Sequence, residues 1–306
     1  MSVTPAKTST LTPSPSQQRL WQKAWQRFRR DKLALVGLIV LLLLGLSVIF
    51  GPWLYRVPFD EIDFSNAIAP PSLAHPLGTN DLGQDQLARL LIGGRISLAV
   101  GIAAMLVAIT LGTTVGAISG FYGSWLDAGL MRITDLFLSL PQLPLLLLVV
   151  YLFRDTARAI AGPELGIFLL IVLVIGSLNW MSVARLVRAS FLQLREADFV
   201  LAARAIGAKQ RRIIWVHILP NVLNLITVAA TLAVGTAIIT ESTLSFLGLG
   251  FPPDVPTWGR MLYEAQSYIT QAPHLAIFPG LAIFLTVLSI NYVGDGLRDA
   301  FDPQGL

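Results

Sequence analysis

The chain has 306 residues, of which 54% are hydrophobic and only 13% are charged, and it contains no cysteine. Soluble domains carry about 25% charged residues, so we predict an integral membrane protein. The absence of cysteine excludes disulfides, iron–sulfur clusters and thiol catalysis. The three histidines lie far apart and form no HExxH pattern. The basic pI of 9.6 is explained by the topological bias described below, so we expect no nucleic-acid partner.

The N-terminal residues 1–32 are predicted to be a cytoplasmic tail. Residues 1–16 are rich in Ser, Thr and Pro, whereas in residues 17–32 Trp21, Trp25 and Phe28 share one helical face and the cations lie mostly elsewhere. This pattern is typical of an amphipathic helix on an anionic membrane surface, which would make membrane lipid a partner. The alternative interpretation is a plain positive flank of the first span.

Six stretches are apolar and long enough to cross a bilayer core about 30 Å thick. They cover residues 33–55, 96–126, 136–153, 165–184, 218–240 and 275–294. The third stretch contains Pro141 and Pro144, which predict a kink or a broken end. The fold class is therefore all-α, with about six transmembrane helices.

The Lys and Arg residues predict the orientation of these spans. With a cytoplasmic N-terminus, sixteen of the 22 cations fall on the inner side and six on the outer side. Inner loops favour Lys and Arg, so we predict an N-in, C-in protein of the cell (inner or plasma) membrane. The segments are then an extracytoplasmic stretch at 56–94, a transmembrane core at 95–294 that includes a cytoplasmic loop at 187–220, and a cytoplasmic tail at 295–306.

Two outer segments, 56–94 and 249–274, are too long to be plain connectors. The second contains three prolines within residues 252–256, which make its first part rigid and non-helical. Two interpretations stay open for both segments. They contact an external solute or a delivery protein, or they cap the helix bundle.

The inner loop has its own helical pattern. Phe199, Ala202, Ala203 and Ile206 recur at helical spacing, and Gly207 follows directly, as a glycine that ends a helix does. A second run covers residues 208–217, and a proline then opens the next span. We predict two short helices joined by a bend, lying beneath the membrane. The alternative is a solvated basic loop.

The order Ala202-Ala203, three residues, Gly207, nine residues, then His217-Ile218-Leu219-Pro220 resembles the EAA loop of ABC importer permeases. Longer blocks at 75–101, 241–262 and 294–303 are similar to the C-type subunit of the dipeptide and oligopeptide permease group. The resemblance implies a type I ABC importer permease fold. It also implies that a loop carrying Ala202, Ala203, Gly207, Ala208, Leu219 and Pro220 docks into a cytoplasmic ATPase. This sequence departs from the motif at Leu201, where the family has its glutamate, and at His217, where the family has isoleucine.

The resemblance implies import of di- or oligopeptides with cytoplasmic ABC ATPase subunits, a second permease in a heterodimer and an extracytoplasmic solute-binding protein. The chain is expected to be no enzyme and to need no cofactor. A P-loop requires GxxxxGK[ST], and none of the four lysines follows a glycine. A permease for nickel or another small solute is the alternative. A secondary transporter and a membrane scaffold are further alternatives.

Few ionisable groups lie inside the predicted spans. Arg132 and Asp135 sit three residues apart and are predicted to pair on one helix face. Glu241 and Ser242 end the fifth span, and they line the translocation path or form a buried cap near the outer surface. Small residues in the second span, among them Gly112 and Gly116, predict close helix packing.

Overall fold

The computed structural model describes residues 25–301, and their regular structure is helical. The helices are α1 (Lys32–Leu54), α2 (Gln86–Tyr122), α3 (Ser124–Ser139), α4 (Gln142–Ala161), α5 (Pro163–Leu194), α6 (Asp198–Ala205), α7 (Gln210–Arg212), α8 (Leu219–Phe246), α9 (Trp258–Ala265) and α10 (His274–Phe301). A π-helical turn, Ile213–Ile218, joins α7 to α8, and short 3₁₀ turns occupy Phe64–Asn66 and Gln266–Tyr268.

Length and composition identify five helical segments that are able to cross a membrane, and a sixth if α3 and α4 are counted together. This confirms the predicted all-α membrane protein of about six spans. The kink or broken end predicted for the third span is confirmed, because α3 and α4 meet at an angle of 88°. The break falls at Leu140–Pro141, since proline cannot donate a helical hydrogen bond and forces the preceding residue towards an extended conformation.

Several helices extend beyond the predicted limits. Asp85 accepts a hydrogen bond from the Ala88 amide at 2.8 Å and caps α2, so that the outer limit predicted at residue 94 falls inside this helix. Gly123 ends α2 with φ +65°. Helix α10 continues past the limit predicted at residue 294 and ends at Phe301. The assignment of each range to a side of the membrane stays a prediction.

The N-terminal tail is described from Trp25 onward, so the predicted helix is outside the described residues for 17–24. Trp25 and Phe28 stack with ring centroids 5.9 Å apart, which confirms that they share a face. Phe28 is buried against α1 and α10, where Ala34 and Ala300 surround it, and Trp25 is exposed. Binding of this segment to lipid stays a prediction.

The bundle is centred on a close contact between α2 and α5. A Cβ atom on Gly112, Gly116 or Gly120 would lie 2.5–2.7 Å from backbone or Cβ atoms of α5. Such distances are shorter than real contacts allow, so glycine is what lets the two helices approach. The small-residue packing predicted for the second span is therefore confirmed. Small residues are common where transmembrane helices contact one another.

The outer segments fold onto the ends of the helices. Trp258 is 1% exposed, and its indole Nε1 donates to the Leu90 carbonyl of α2 at 3.0 Å. Arg89 and Arg260 both pair with Glu264, at 2.9 and 3.0 Å. These contacts support the capping interpretation of the outer segments.

A second outer cluster surrounds the carboxylate of Asp85, which is 1% exposed. The Tyr55 hydroxyl donates to it at 2.8 Å, and the His75 Nδ1 lies 2.9 Å away. Burial, followed by the bond to Asp85, raises the pKa of Tyr55 above its ordinary value. The cluster joins the end of α1, the loop at residues 72–79 and the start of α2.

Candidate functional site

The inner loop connects α5 to α8, and we refer to residues 195–218 as the coupling segment. It consists of α6, a reversal at Gly207, α7 and the π-turn. Two short helices joined at Gly207 were predicted from the sequence, and the structure confirms them. The second run begins as a helix at Gln210, two residues later than its predicted start.

The reversal after α6 is a Schellman motif. The Gly207 amide donates to the Arg204 carbonyl at 2.9 Å, and the Ala208 amide donates to the Ala203 carbonyl at 3.0 Å. This pair of bonds requires a left-handed residue between the helices, and Gly207 supplies φ +83°. Within residues 25–301, no atom other than those of the glycine and its chain neighbours lies within 4 Å of the place where a Cβ would stand. Glycine is therefore needed here for the backbone angle and not for space.

The two predicted alanines lie on different faces of α6. Ala203 is 6% exposed and packs inward beside Val200, whereas Ala202 is exposed. Ala203 is thus covered by its own bundle, and the contact of both alanines with a partner surface stays a prediction. The exposed apolar side chains of the segment include Leu201 and Ile206, the latter 87% exposed.

A polar groove of about 500 Å³ separates the coupling segment from the inner end of α2. It is lined by Phe121, Tyr122, Arg195, Glu196, Arg204, Ala208, Gln210 and Ile213. Arg195 pairs with Glu196 at 2.9 Å, and the Arg204 guanidinium lies 5.9 Å from the Phe121 ring centre. Of the predicted site residues, Ala208 lines this groove.

The π-turn leads into the end of the predicted motif, Leu219 and Pro220. The Leu219 amide donates to the Ile214 carbonyl, five residues back, where an α-helix would use the fourth. Pro220 has no amide hydrogen, and in a regular α-helix its ring would clash with the Val216 carbonyl. The wider turn avoids this clash. Leu219 and Pro220 are thus the first residues of α8, as predicted, and both are half-buried.

Ion pairs anchor the helices next to the coupling segment. Arg188 of α5 holds Asp127 of α3 through two hydrogen bonds, and the Ser119 hydroxyl of α2 donates to the same carboxylate. Asp135 pairs with Arg185 of α5 and not with Arg132 as predicted. The correction has a simple cause, since α5 presents a cation to α3 across the interface, and sequence spacing cannot show this.

A cleft of about 940 Å³ opens between α5 and α8 and reaches the end of α10. Its polar lining consists of amides, hydroxyls and one cation: Asn179, Ser182, Ser190, Gln193, Asn221, Asn224, Thr236 and Arg298. This cleft was not predicted from the sequence. The available signal was the recurrence of Asn and Gln within apolar helices, where polar groups are costly and therefore informative.

Glu241 and Ser242 lie away from this cleft, in the outer half of α8. The Glu241 side chain is 0% exposed, and its two oxygens accept from the hydroxyls of Ser245 at 2.8 Å and Ser97 at 3.3 Å. Ser97 also accepts from the Trp258 amide at 3.2 Å, so the network joins α8, α2 and α9. Within this chain the geometry supports the buried cap. A role in the translocation path stays a prediction.

The chain matches two families. The family described as "Binding-protein-dependent transport system inner membrane component" covers residues 112–304, and "N-terminal TM domain of oligopeptide transport permease C" covers residues 19–71. The first of these contains the coupling segment, the cleft and, from the buried network, Glu241, Ser245 and Trp258.

Curated relatives are similar over nearly their full length. The dipeptide transport system permease protein DppC of Alkalihalophilus pseudofirmus is 41% identical over 96% of this chain and 94% of its own. The oligopeptide transport system permease protein OppC of Bacillus subtilis is 40% identical over 93% and 90%. The glutathione transport system permease protein GsiD of Pectobacterium atrosepticum is 42% identical over 93% and 91%.

A solved structure shares the fold at lower identity. A chain of the MetNI methionine ABC transporter in an inward-facing conformation superposes with a TM-score of 0.55, at 21% identity, over 69% of this chain and 95% of that chain. This likeness confirms the type I ABC importer permease fold. Together with the family matches and the curated relatives, it shows that the chain belongs to the binding-protein-dependent transport system inner membrane components, as a multi-pass permease subunit of an ABC importer.

Proposed function

We propose that this permease imports peptides, and that a separate ATPase drives it by docking on the coupling segment. The observation that carries the proposal is the joint presence of an exposed, rigidly turned coupling segment and a cleft lined by the helix that follows it. The relatives named for dipeptides, oligopeptides and glutathione support the peptide substrate.

The lining of the cleft suits a peptide. Its amides and hydroxyls donate and accept hydrogen bonds, as the backbone of any peptide does, and its lining includes one charge, Arg298, near the end of α10. The remaining lining is apolar, and a few neutral polar groups in such a lining pair with the backbone of a peptide and do not select particular side chains. A cleft open on one side is completed by a second permease, with a binding protein delivering the solute from outside.

The coupling segment has the features that a docking element needs. Ile206 and Leu201 offer apolar side chains to a partner, and Lys209, Arg211 and Arg212 supply exposed positive charge. Leu201 replaces the motif glutamate, so the contact made here is apolar in place of a carboxylate. A protruding apolar residue with a charged rim is a common form of interface anchor.

The test compares two glycines with positive φ. Gly207 and Gly162 have φ of +83° and +84°, and among the described residues neither has a non-neighbouring atom within 4 Å of a Cβ position, but Gly162 lies between α4 and α5 at the predicted outer side. Alanine in a left-handed conformation costs about 1–2 kcal/mol at Gly207, and it costs more at Gly162, where ψ of 171° places the backbone in a region open essentially to glycine alone. Purified complexes with the partner permease, ATPase and binding protein are reconstituted in vesicles, and dipeptide uptake and ATP hydrolysis are measured together.

We expect Gly207→Ala to lower dipeptide uptake per ATP hydrolysed roughly tenfold, because the Schellman turn and the presentation of Ile206 are disturbed. Gly162→Ala introduces at least as much local strain and should keep the wild-type ratio. Equal ratios for both variants would remove the coupling segment from the proposal. Failure of the wild-type complex to take up any dipeptide while it takes up Ni²⁺ or another small solute would refute the peptide substrate.

A further inference from the structure

We propose that the π-turn at Ile213–Ile218 is the joint through which movement of the coupling segment passes into α8 and so into the cleft. The inference rests on the proposed function, because it concerns how the docked ATPase acts on the permease. The π-turn is the last part of the coupling segment, and it connects α6 and α7 covalently to α8.

Pro220 is the cause of the π-turn. Pro220 removes one donor from the helical ladder, and the Leu219 amide bonds to the Ile214 carbonyl in the i→i−5 pattern. A π-turn is a rare and poorly packed form of helix, and it differs from an α-helix by the placement of a single residue. The segment can therefore change its bonding register while the helices on either side keep theirs.

The two ends of the π-turn are buried, and its middle is exposed. Its first and last residues, Ile213 and Ile218, are 1% and 0% exposed and pack with Phe121, Phe191 and Val222. Its middle residues, Trp215 and Val216, are exposed. One side of the turn is thus fixed in the core and the other side is free, which is the arrangement of a pivot.

Helix α8, which follows the π-turn, lines the cleft. Asn221 and Asn224 in its first turns line the cleft, and Thr236 lines it three turns later. The Asn221 side chain also donates to the His217 carbonyl of the π-turn at 2.6 Å. A change of register in the turn would therefore move side chains of the cleft directly.

The other end of the coupling segment is held more firmly. The last turns of α5 are tied to α3 by Arg188 and Asp127, and Gly120 of α2 packs against Phe191. Contacts towards α5 therefore resist a displacement of α6, whereas the π-turn can bend towards α8. For this reason the π-turn is the connection that moves.

The experiment measures a distance across the turn. The chain has no cysteine, so Ala205→Cys and Thr227→Cys, at exposed positions on either side of the turn, give one spin-labelled pair in this subunit. The reconstituted complex, with cysteine-free partner subunits, is measured by double electron–electron resonance without nucleotide and with trapped ATP. We expect the distance to change by about 2 Å or more, as for a helix shift.

Pro220→Ala restores the missing donor and lets the segment form a regular α-helix. We expect it to abolish most of the distance change and to lower uptake per ATP by roughly two- to thirtyfold. Pro279→Ala is the matched control, because Pro279 is a buried proline inside α10, away from the coupling segment. It should keep the distance change. Deletion of Val216 is the second variant, since it removes the additional residue of the turn and should act as Pro220→Ala does.

Four results would overturn the inference. These are an unchanged distance in the wild-type complex that takes up peptide normally, a full distance change in Pro220→Ala, a full change in the Val216 deletion, and an equal loss in Pro279→Ala. Absence of ATP-driven uptake by the wild-type complex would instead contradict the proposed function. The two failures are therefore distinguishable.

Discussion

The two ends of this permease are built differently. At the outer end, buried polar groups such as Asp85 and Glu241 join helices that are distant in sequence, and Trp258 is sealed between them. At the inner end, the coupling segment turns on Gly207 and exposes Ile206. Buried and satisfied polar networks make a structure rigid, while exposed apolar patches are typical of interaction surfaces. The predicted outer end is therefore held by its own internal contacts, and the predicted inner end keeps an exposed apolar surface.

The largest expected effect is overpacking of the outer end by Gly93→Ala. The added Cβ would lie 1.7 Å from the Pro256 carbonyl oxygen, with backbone on both sides. We expect a loss of about 3 kcal/mol in the free energy of unfolding, because neither segment has room to shift. Gly45→Ala in α1 is the control, since no atom lies within 4 Å of its Cβ position. Thermal unfolding in detergent measures both, and equal midpoints would contradict the rigid outer end.

Glu241→Ala should cost about 2 kcal/mol, because it leaves a cavity and removes the acceptor of Ser97 and Ser245. Glu241→Gln keeps one acceptor oxygen and most of the volume, and we expect a smaller loss of thermal stability. Uptake by each variant is measured at a temperature where it stays folded. A glutamine variant that is stable but transports nothing would favour the translocation path over the cap.

Ile206→Ser examines the inner end. We expect a change in unfolding free energy below about 0.5 kcal/mol, because the side chain is 87% exposed in the isolated chain. Binding of the ATPase should weaken roughly tenfold, as for loss of an interface anchor of more than 1 kcal/mol. Leu73→Ser in the outer segment is the control, since Leu73 is equally free of contacts. Binding of the ATPase is measured with the permease in nanodiscs. Equal ATPase affinities for Ile206→Ser and Leu73→Ser would contradict a specific role of Ile206 in docking.

Tyr55→Phe removes one hydrogen bond to Asp85 and should cost about 1–2 kcal/mol. Because folding raises the pKa of Tyr55, the folded state holds this proton more tightly than the unfolded state. The associated stability is complete below the ordinary pKa of about 10 and falls as the pH rises above it. Thermal unfolding between pH 8 and 11 should show this fall in the wild type and a weaker one in Tyr55→Phe. Identical slopes would contradict the prediction.

The predicted orientation gives one further distinction between the ends. Single cysteines at Leu73 and Lys209, both exposed, should react with a membrane-impermeant thiol reagent from opposite sides of intact cells. Reaction of both from outside would contradict the N-in, C-in topology and the docking of a cytoplasmic ATPase.

Local features were readable from the chain alone. The spans were predicted because a bilayer requires long apolar runs, and the helix–glycine–helix pattern was predicted because Gly207 follows a short periodic run. The break near Pro141 was indicated by the prolines, but its angle of 88° was not. The family was recognisable from motif blocks, and the fold and relatives confirmed it.

Choices between distant partners were decided by the tertiary structure. Only packing shows that Ala203 faces the bundle while Ala202 faces outward, that Asp135 meets Arg185 and not Arg132, and that α5 and α8 enclose a cleft. The physical reason is that hydropathy and helix period report the environment a residue needs, whereas a contact across helices depends on which surfaces approach. The amino-acid sequence alone thus determined a six-span permease with a turned inner loop, and its helix packing decided where the chain is closed, where it is open and where it bends.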